Sequence, residues 1–299
     1  MTRRPGMTHI ELLVVFGILA AAVALSLPAV QKSREAALRA RSTNNLRQIA
    51  LATQQFASTN QDRLPHLVGN SLTPNYAGNS GTIFVAILPF LESAFGAGPD
   101  AMIRVRVPIP VPVFLSPADR SADRIDFGNT NGAIGAGLCS YAANAQVFRD
   151  GPRLPATIPD GTSNTIAFAE RYSVCRSIFG YWVTDIFPAK PFSVHRPTFA
   201  DRSGYAFPNY IPIPGYDDVY PVTQISSVPP VSVGSIRGWT FQVAPSFEAC
   251  EDIVAQTHHA SGMLVSMVDG SVRTLSGLVS PQVYWGLVTS AQGEVVCVE

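Results

Sequence analysis

The residues of this chain best suited to chemistry lie toward its C-terminal end, where His258 and His259 precede Asp269 and Gly270 in a His-x9-Asp-Gly spacing. A histidine and an acid brought together can pass a proton or donate two ligands to a metal. A metal centre needs a third and a fourth ligand, and no His-x-x-x-His or Cys-x-x-Cys spacing supplies them. The two residues could meet across the start of a strand. The reading preferred here is structural: His259 bonds backbone near a hairpin, and Asp269 serves the geometry of a turn.

Two oxygen-rich stretches invite a calcium reading. Asp160-Gly161-Thr162-Ser163-Asn164 lacks the alternating acids and terminal Glu of an EF-hand, so a capped turn is expected. Asp217-Asp218 is a weak calcium candidate, and adjacent acids more often lie in a solvated loop. No other cofactor is expected. Glu170, Arg171, Asp185 and Glu248 are scattered, and sequence alone gives no means of pairing them. There is no Gly-x-Ser-x-Gly elbow, no Gly-x-x-x-x-Gly-Lys loop and no Gly-x-Gly-x-x-Gly turn, and the glycines from Gly132 to Gly137 fit none of these spacings. The expectation is a protein that is not an enzyme.

The cysteines are Cys139, Cys175, Cys250 and Cys297. An even number in an oxidising compartment predicts two disulfides, with three connectivities open, against the alternative of buried free thiols. The chain has a formal net charge of zero and is 46% hydrophobic, enough for one large core or two small ones. A nucleic-acid partner would want a basic face, and neutrality argues against one.

These residues must be carried by elements, and the first is set by the amino terminus. Arg3 and Arg4 precede Gly6, after which Glu11 heads an apolar run reaching Leu27, broken only by Gly17 and Ser26. With Met7, Ile10 and the residues through Val30 the run approaches the roughly 20 residues that cross a bilayer. A secretory signal peptide places its small residue after the apolar core, whereas Gly6 comes before it. A lone acid at the edge of a membrane segment asks for a partner.

The stretch Gly6-Met7-Thr8-His9-Ile10-Glu11-Leu12-Leu13-Val14-Val15 resembles the prepilin-type cleavage and methylation signal of type IV pilins and type II secretion pseudopilins. The resemblance implies cutting after Gly6 by a prepilin peptidase, methylation of Met7, and a role for Glu11 in assembly. Glu11 would pair with the Met7 amine of a neighbouring copy, so that the charge is satisfied by association. His9 and Met7 depart from the commoner Phe-Thr-Leu version. The basic end is expected to stay cytoplasmic, leaving the head periplasmic or extracellular and the chain in the inner membrane by a single pass.

Beyond Pro28 the pattern becomes amphipathic. Gln31, Lys32, Arg34, Glu35, Arg39 and Arg41 are polar, and Leu46, Ile49, Ala50, Thr53, Phe56 and Ala57 recur on one helical face. One helix is predicted from Thr8 to Thr59, about 75 Å long at ~1.5 Å per residue, kinked at Pro28 and closed by Leu64-Pro65. The predicted organisation is a leader at 1–6, a transmembrane helix at 7–30, its amphipathic continuation at 31–60 and a β-rich head at 61–299.

Within the head, Thr82 to Leu91 reads equally as helix or strand, and the prolines between Val105 and Pro117 predict an edge or polyproline-like strip. Strands are predicted at Leu138–Ala143, Thr165–Glu170 and Gly180–Thr184, with long loops over 186–237. Met263–Val268 and Ser271–Leu275 flank Asp269-Gly270, a two-residue hairpin signal. Ser280-Pro281 opens a last short helix with Val283, Leu287 and Val288 as its stripe and Trp285 beside it.

Asn44 to Ala52, Leu64-Pro65, Ile87 to Glu92, Ser140 to Asn144, Asp160 to Thr165 and His259 to Gly270, in that order, resemble a large bacterial family of prepilin-signal proteins with a globular domain of unknown function. That family commonly has Cys where Ser42 and Ser116 stand here. The resemblance implies that these two positions are partners joining helix to head, and that this chain lacks the link. The fold expected is α+β and pilin-like, a long helix packed on a mainly antiparallel sheet. The expected role is assembly with its own kind or other pilin-like subunits. A surface protein that uses the signal only for export, and an exported hydrolase, are the alternatives.

Overall fold

The structure, a computed structural model, describes residues 9–66, 82–91, 110–121, 137–148, 152–175, 178–180, 193–195, 197–200, 239–251 and 254–289. Residues up to Arg41 and from Ser42 onward form two compact units. Helix α1, His9–Thr59, contributes to both and continues through Pro28. From His9 to Ala37 every residue is exposed, including Leu13 at 73% and Leu25 at 77%. This helix is long and apolar enough to cross a membrane.

In the second unit the periodic face of α1 is core. Leu46, Ile49, Ala50, Thr53, Phe56 and Ala57 are all buried, as the 3.6-residue spacing predicts. The helix ends at Thr59, ahead of Leu64-Pro65. Gln61 and Asp62 take positive φ, and the Asp62 amide closes the end on the Ala57 carbonyl at 2.9 Å.

A five-stranded sheet forms the centre, in the order β10-β9-β2-β1-β6. Its strands are β1 Tyr141–Asn144, β2 Ile166–Glu170, β6 Thr198–Phe199, β9 Met263–Met267 and β10 Val272–Leu275. Three pairings are antiparallel, and only β1 with β6 runs parallel. Both faces are covered. Leu264 and Phe168 join the cluster that holds α1, and Met263, Val265 and Met267 join the cluster that holds α4, Pro281–Val288. A strand covered on both faces is apolar throughout, which is why β2 and β9 show no polar alternation.

The undecided stretch Thr82 to Leu91 is helical: α2, Ile83–Ile87, runs into a 3-10 turn at Leu88–Phe90. Phe84 of α2 sets its ring against Phe114 and Phe168, at 5.0 and 5.9 Å between centroids. Of the proline strip, the described part folds as a 3-10 turn at Pro112–Phe114 rather than an extended edge. Short strands β3 Val174–Cys175, β4 Ile178–Gly180 and β5 Ser193–His195 form a second sheet. Of the expected strand at Gly180–Thr184 only Gly180, the last residue of β4, lies within the described residues. Strands β7 Gln242–Val243 and β8 Gln256–Thr257 pair with each other. A four-residue helix α3, Ala145–Phe148, follows β1.

The β9–β10 hairpin has the expected Asp-Gly pair but a longer connection. The Gly270 amide bonds the Met267 carbonyl at 3.0 Å, and the Met267 amide bonds the Ser271 carbonyl at 2.8 Å. Of the connecting residues only Gly270 takes positive φ, +90°. This is a type I turn closed by a glycine bulge, not a two-residue turn with both central residues left-handed. At the other end of β9, Gly262 has φ +118°, and a Cβ there would lie 2.3 Å from the Leu275 carbonyl oxygen. In α4, Ser280 caps the start through its Oγ and the Val283 amide, 3.3 Å apart. Tyr284, Trp285, Gly286, Leu287 and Val288 are buried, with Val283 at the rim.

Candidate functional site

Consecutive residues of an extended segment point to opposite sides, and the pair following β8 does so. His258 turns to Asp119 and His259 to Glu170, so one dipeptide serves two buried acids. Glu170 closes β2 and is fully buried. Its Oε1 accepts from Ser42 Oγ at 2.8 Å, and its Oε2 accepts from Thr257 Oγ1 at 2.7 Å and the Leu264 amide at 3.1 Å. The His259 Nε2 lies 3.6 Å from Oε1, with both side chains at 2% exposure or less. Ser42 also shares a 3.0 Å hydrogen bond with the Tyr141 hydroxyl, whose ionisation burial pushes up.

Ser116 Oγ donates to Ser42 Oγ at 3.5 Å. The two positions singled out as a cross-link site in the resembling family are thus neighbours in this chain, joined by hydroxyls.

The second acid, Asp119, collects donors on both oxygens. Oδ1 accepts the Ser121 amide at 2.9 Å, and Oδ2 accepts Ser140 Oγ at 2.7 Å and the Ser173 amide at 2.8 Å. Its Oδ1 lies 3.8 Å from His258 Nδ1. Burial pushes this carboxyl up, but the His258 charge and these donors outweigh it and hold the acid below its ordinary 3.8. The His258 ring stacks on Tyr172 at 4.5 Å. Beside it Arg171 is buried, its Nη1 donating to the Thr198 carbonyl at 3.0 Å.

These groups bind one another. A buried carboxylate costs several kcal/mol unless it is paired and hydrogen-bonded, and here the donors come from α1, β8 and the start of β9. Each acid fixes chain segments far apart in sequence, and the acid, hydroxyl and imidazole side chains around Glu170 are closed to solvent. The arrangement can hold elements in register. It offers no exposed nucleophile.

His259 and Asp269 do not meet. His259 lies at the Gly262 end of β9 with its Nε2 toward Glu170, while Asp269 is exposed at the opposite tip. Asp269 does serve turn geometry: its Oδ1 accepts the Ser271 amide at 2.8 Å. The tip is tied to the Asp160–Thr165 turn by the Asp269 amide to Thr162 carbonyl bond and the Val268 amide to Thr165 carbonyl bond, both 2.9 Å. Gln54 of α1 donates to the Val268 carbonyl. Among the described residues no group of three or more His, Cys, Asp or Glu could hold a metal.

Cys175 and Cys250 form a disulfide. Cys139 is a buried free thiol whose ionisation burial pushes up, so one of the two expected bridges is present and Cys139 follows the free-thiol alternative. Cys297, Gly6, Met7, Asp185, Asp217 and Asp218 lie outside the described residues. Glu11 is in the first turn of α1 and exposed, and Glu248 is exposed as well.

Sequence reasoning did not single out Asp119 or Thr257, and it reached Ser42 only as the partner of Ser116, not as a donor to Glu170. The local signal for Asp119 was its Asp-x-Ser spacing to Ser121, typical of an acid that binds backbone two residues on.

The fold is α+β, a long N-terminal helix with a mainly antiparallel sheet and short helices. Residues 31–177 match a family described as protein of unknown function (DUF1559). The match begins just past the apolar run and takes in Ser42, Ser116, Asp119, Tyr141 and Glu170, while both histidines follow it. No curated protein and no solved structure matches the chain.

Proposed function

We propose that this is an exported, membrane-anchored, pseudopilin-like structural protein that assembles through the first half of α1. The observation that carries this reading is the helix from His9 to Ala37, exposed along its whole length, apolar to Leu27 apart from Gly17 and Ser26, and headed by Glu11. Such a surface is stable only in lipid or against other apolar helices. The amino-terminal signal resembles that of prepilins, and Glu11 stands where their assembly acid stands. A Cys175–Cys250 disulfide in the head fits an oxidising compartment outside the cytoplasm. The closed, mutually satisfied acids of the head favour a scaffold over an enzyme.

Prepilin peptidase removes residues 1–6, the helix resides in the inner membrane, and copies associate with Glu11 next to the Met7 amine of a neighbour. Mass spectrometry of the amino-terminal peptide from native membranes tests this. A peptide starting at methylated Met7 is expected, and an intact Met1 would contradict it.

A further inference from the structure

Four cations follow the apolar run of α1: Lys32, Arg34, Arg39 and Arg41, with Glu35 the one acid among them. Lys32, Arg34 and Arg41 are exposed and Arg39 is half-buried. Only Arg3 and Arg4 precede the run. Counted by basic residues near the two ends, the flank expected outside is the richer, opposite to the usual bias of membrane helices. A long exported domain crosses regardless of such charge, so these cations do not prevent export. Their retention on that side needs another reason.

Their placement around the helix supplies one. At about 100° per residue, Lys32 and Arg39 share one side of α1, while Arg34 and Arg41 share the side roughly opposite. A protein partner docking on one face would want a stripe, whereas a lipid surface surrounds the helix and wants a ring. Lys32 to Arg41 rises about 13 Å, so the lower pair reaches the headgroup layer by snorkelling and the upper pair stays near a Debye length of about 8 Å from it.

We infer that residues 32–41 form a cationic collar that binds the anionic phospholipid headgroups of the leaflet at the C-terminal end of the apolar run. This rests on the membrane reading of α1, not on assembly into a fibre. The collar sets the depth of the helix and gathers anionic lipid around it.

Electron spin resonance of spin-labelled lipids tests it, with the uncleaved full-length chain, which retains Arg3 and Arg4, in phosphatidylcholine bilayers at low salt. Labelled phosphatidylglycerol should be enriched over labelled phosphatidylcholine in the motionally restricted layer by roughly fivefold. The enrichment should vanish in about 1 M salt and in the Lys32→Gln, Arg34→Gln, Arg39→Gln, Arg41→Gln variant, and persist in Arg3→Gln, Arg4→Gln. Restricted lipid without selectivity, or selectivity lost only with Arg3 and Arg4, overturns the collar and leaves the membrane reading standing. Absence of any restricted lipid overturns both.

Discussion

Residues 9–37 and 42–59 of α1 are one helix in sequence and two in environment. The later stretch hides Leu46, Ile49, Ala52, Phe56 and Ala57 at 4% exposure or less, while the earlier one leaves Leu13, Phe16 and Leu19 more than half exposed. The difference is that the later stretch alternates core-facing and solvent-facing residues with helical period, and the earlier one, as far as Leu27, is apolar all round but for its Glu11 head. A helix apolar on every side is long and apolar enough to cross a membrane, and on the proposed reading its cover comes from lipid and from other chains.

The largest effect that sharpens this contrast is at the acid to which α1 is riveted. Glu170→Ala strands the Ser42, Thr257 and Leu264 donors and should cost about 3–5 kcal/mol in urea unfolding of the full-length protein, whereas Glu11→Ala should leave head stability unchanged. Phe56→Ala comes next, at about 3 kcal/mol, set against no change in the head for Leu19→Ala. Equal losses for Phe56→Ala and Leu19→Ala would break the comparison.

Acid provides a graded test at the second buried carboxylate. Asp119 has a folded value below 3.8, so its stabilisation is present above that pH and lost as pH falls through the folded value. Stability should drop from about pH 4 downward, and Asp119→Asn should flatten that drop. An unchanged slope would mean that the His258 and backbone contacts do not favour the charged form.

A smaller effect is expected from joining the neighbours Ser42 and Ser116. The Ser42→Cys, Ser116→Cys double variant should form a disulfide, seen as a reductant-sensitive mass loss of two hydrogens, and raise the unfolding midpoint. The smallest is at the hairpin tip, where Asp269→Ala removes one exposed turn contact and should cost less than about 1 kcal/mol.

How far the sequence was legible follows from the range of each signal. The α1 face was readable because helical period repeats within a few residues, and the Ser280-Pro281 start was readable because a cap is local. The hairpin was placed by Asp269-Gly270, but its extra residue depends on the bulge at Gly270, which the dipeptide does not encode. Thr82–Leu91 resolved to helix only through the packing of Phe84 on Phe114 and Phe168, a tertiary fact. The Glu170 centre gathers residues 42, 141, 257 and 259, and the Asp119 centre gathers 140, 173 and 258. No spacing rule reaches across such separations, and both polar centres stayed hidden for that reason.

The central claim is that the first half of α1 is covered by other copies and by lipid. Cysteine cross-linking across the apolar segment of the full-length protein in its native membrane addresses it directly, with Leu13→Cys as the probe. Covalent dimers and higher species that vanish on adding Glu11→Ala are predicted. A probe that stays monomeric at every expression level, or links equally well without Glu11, would contradict the account.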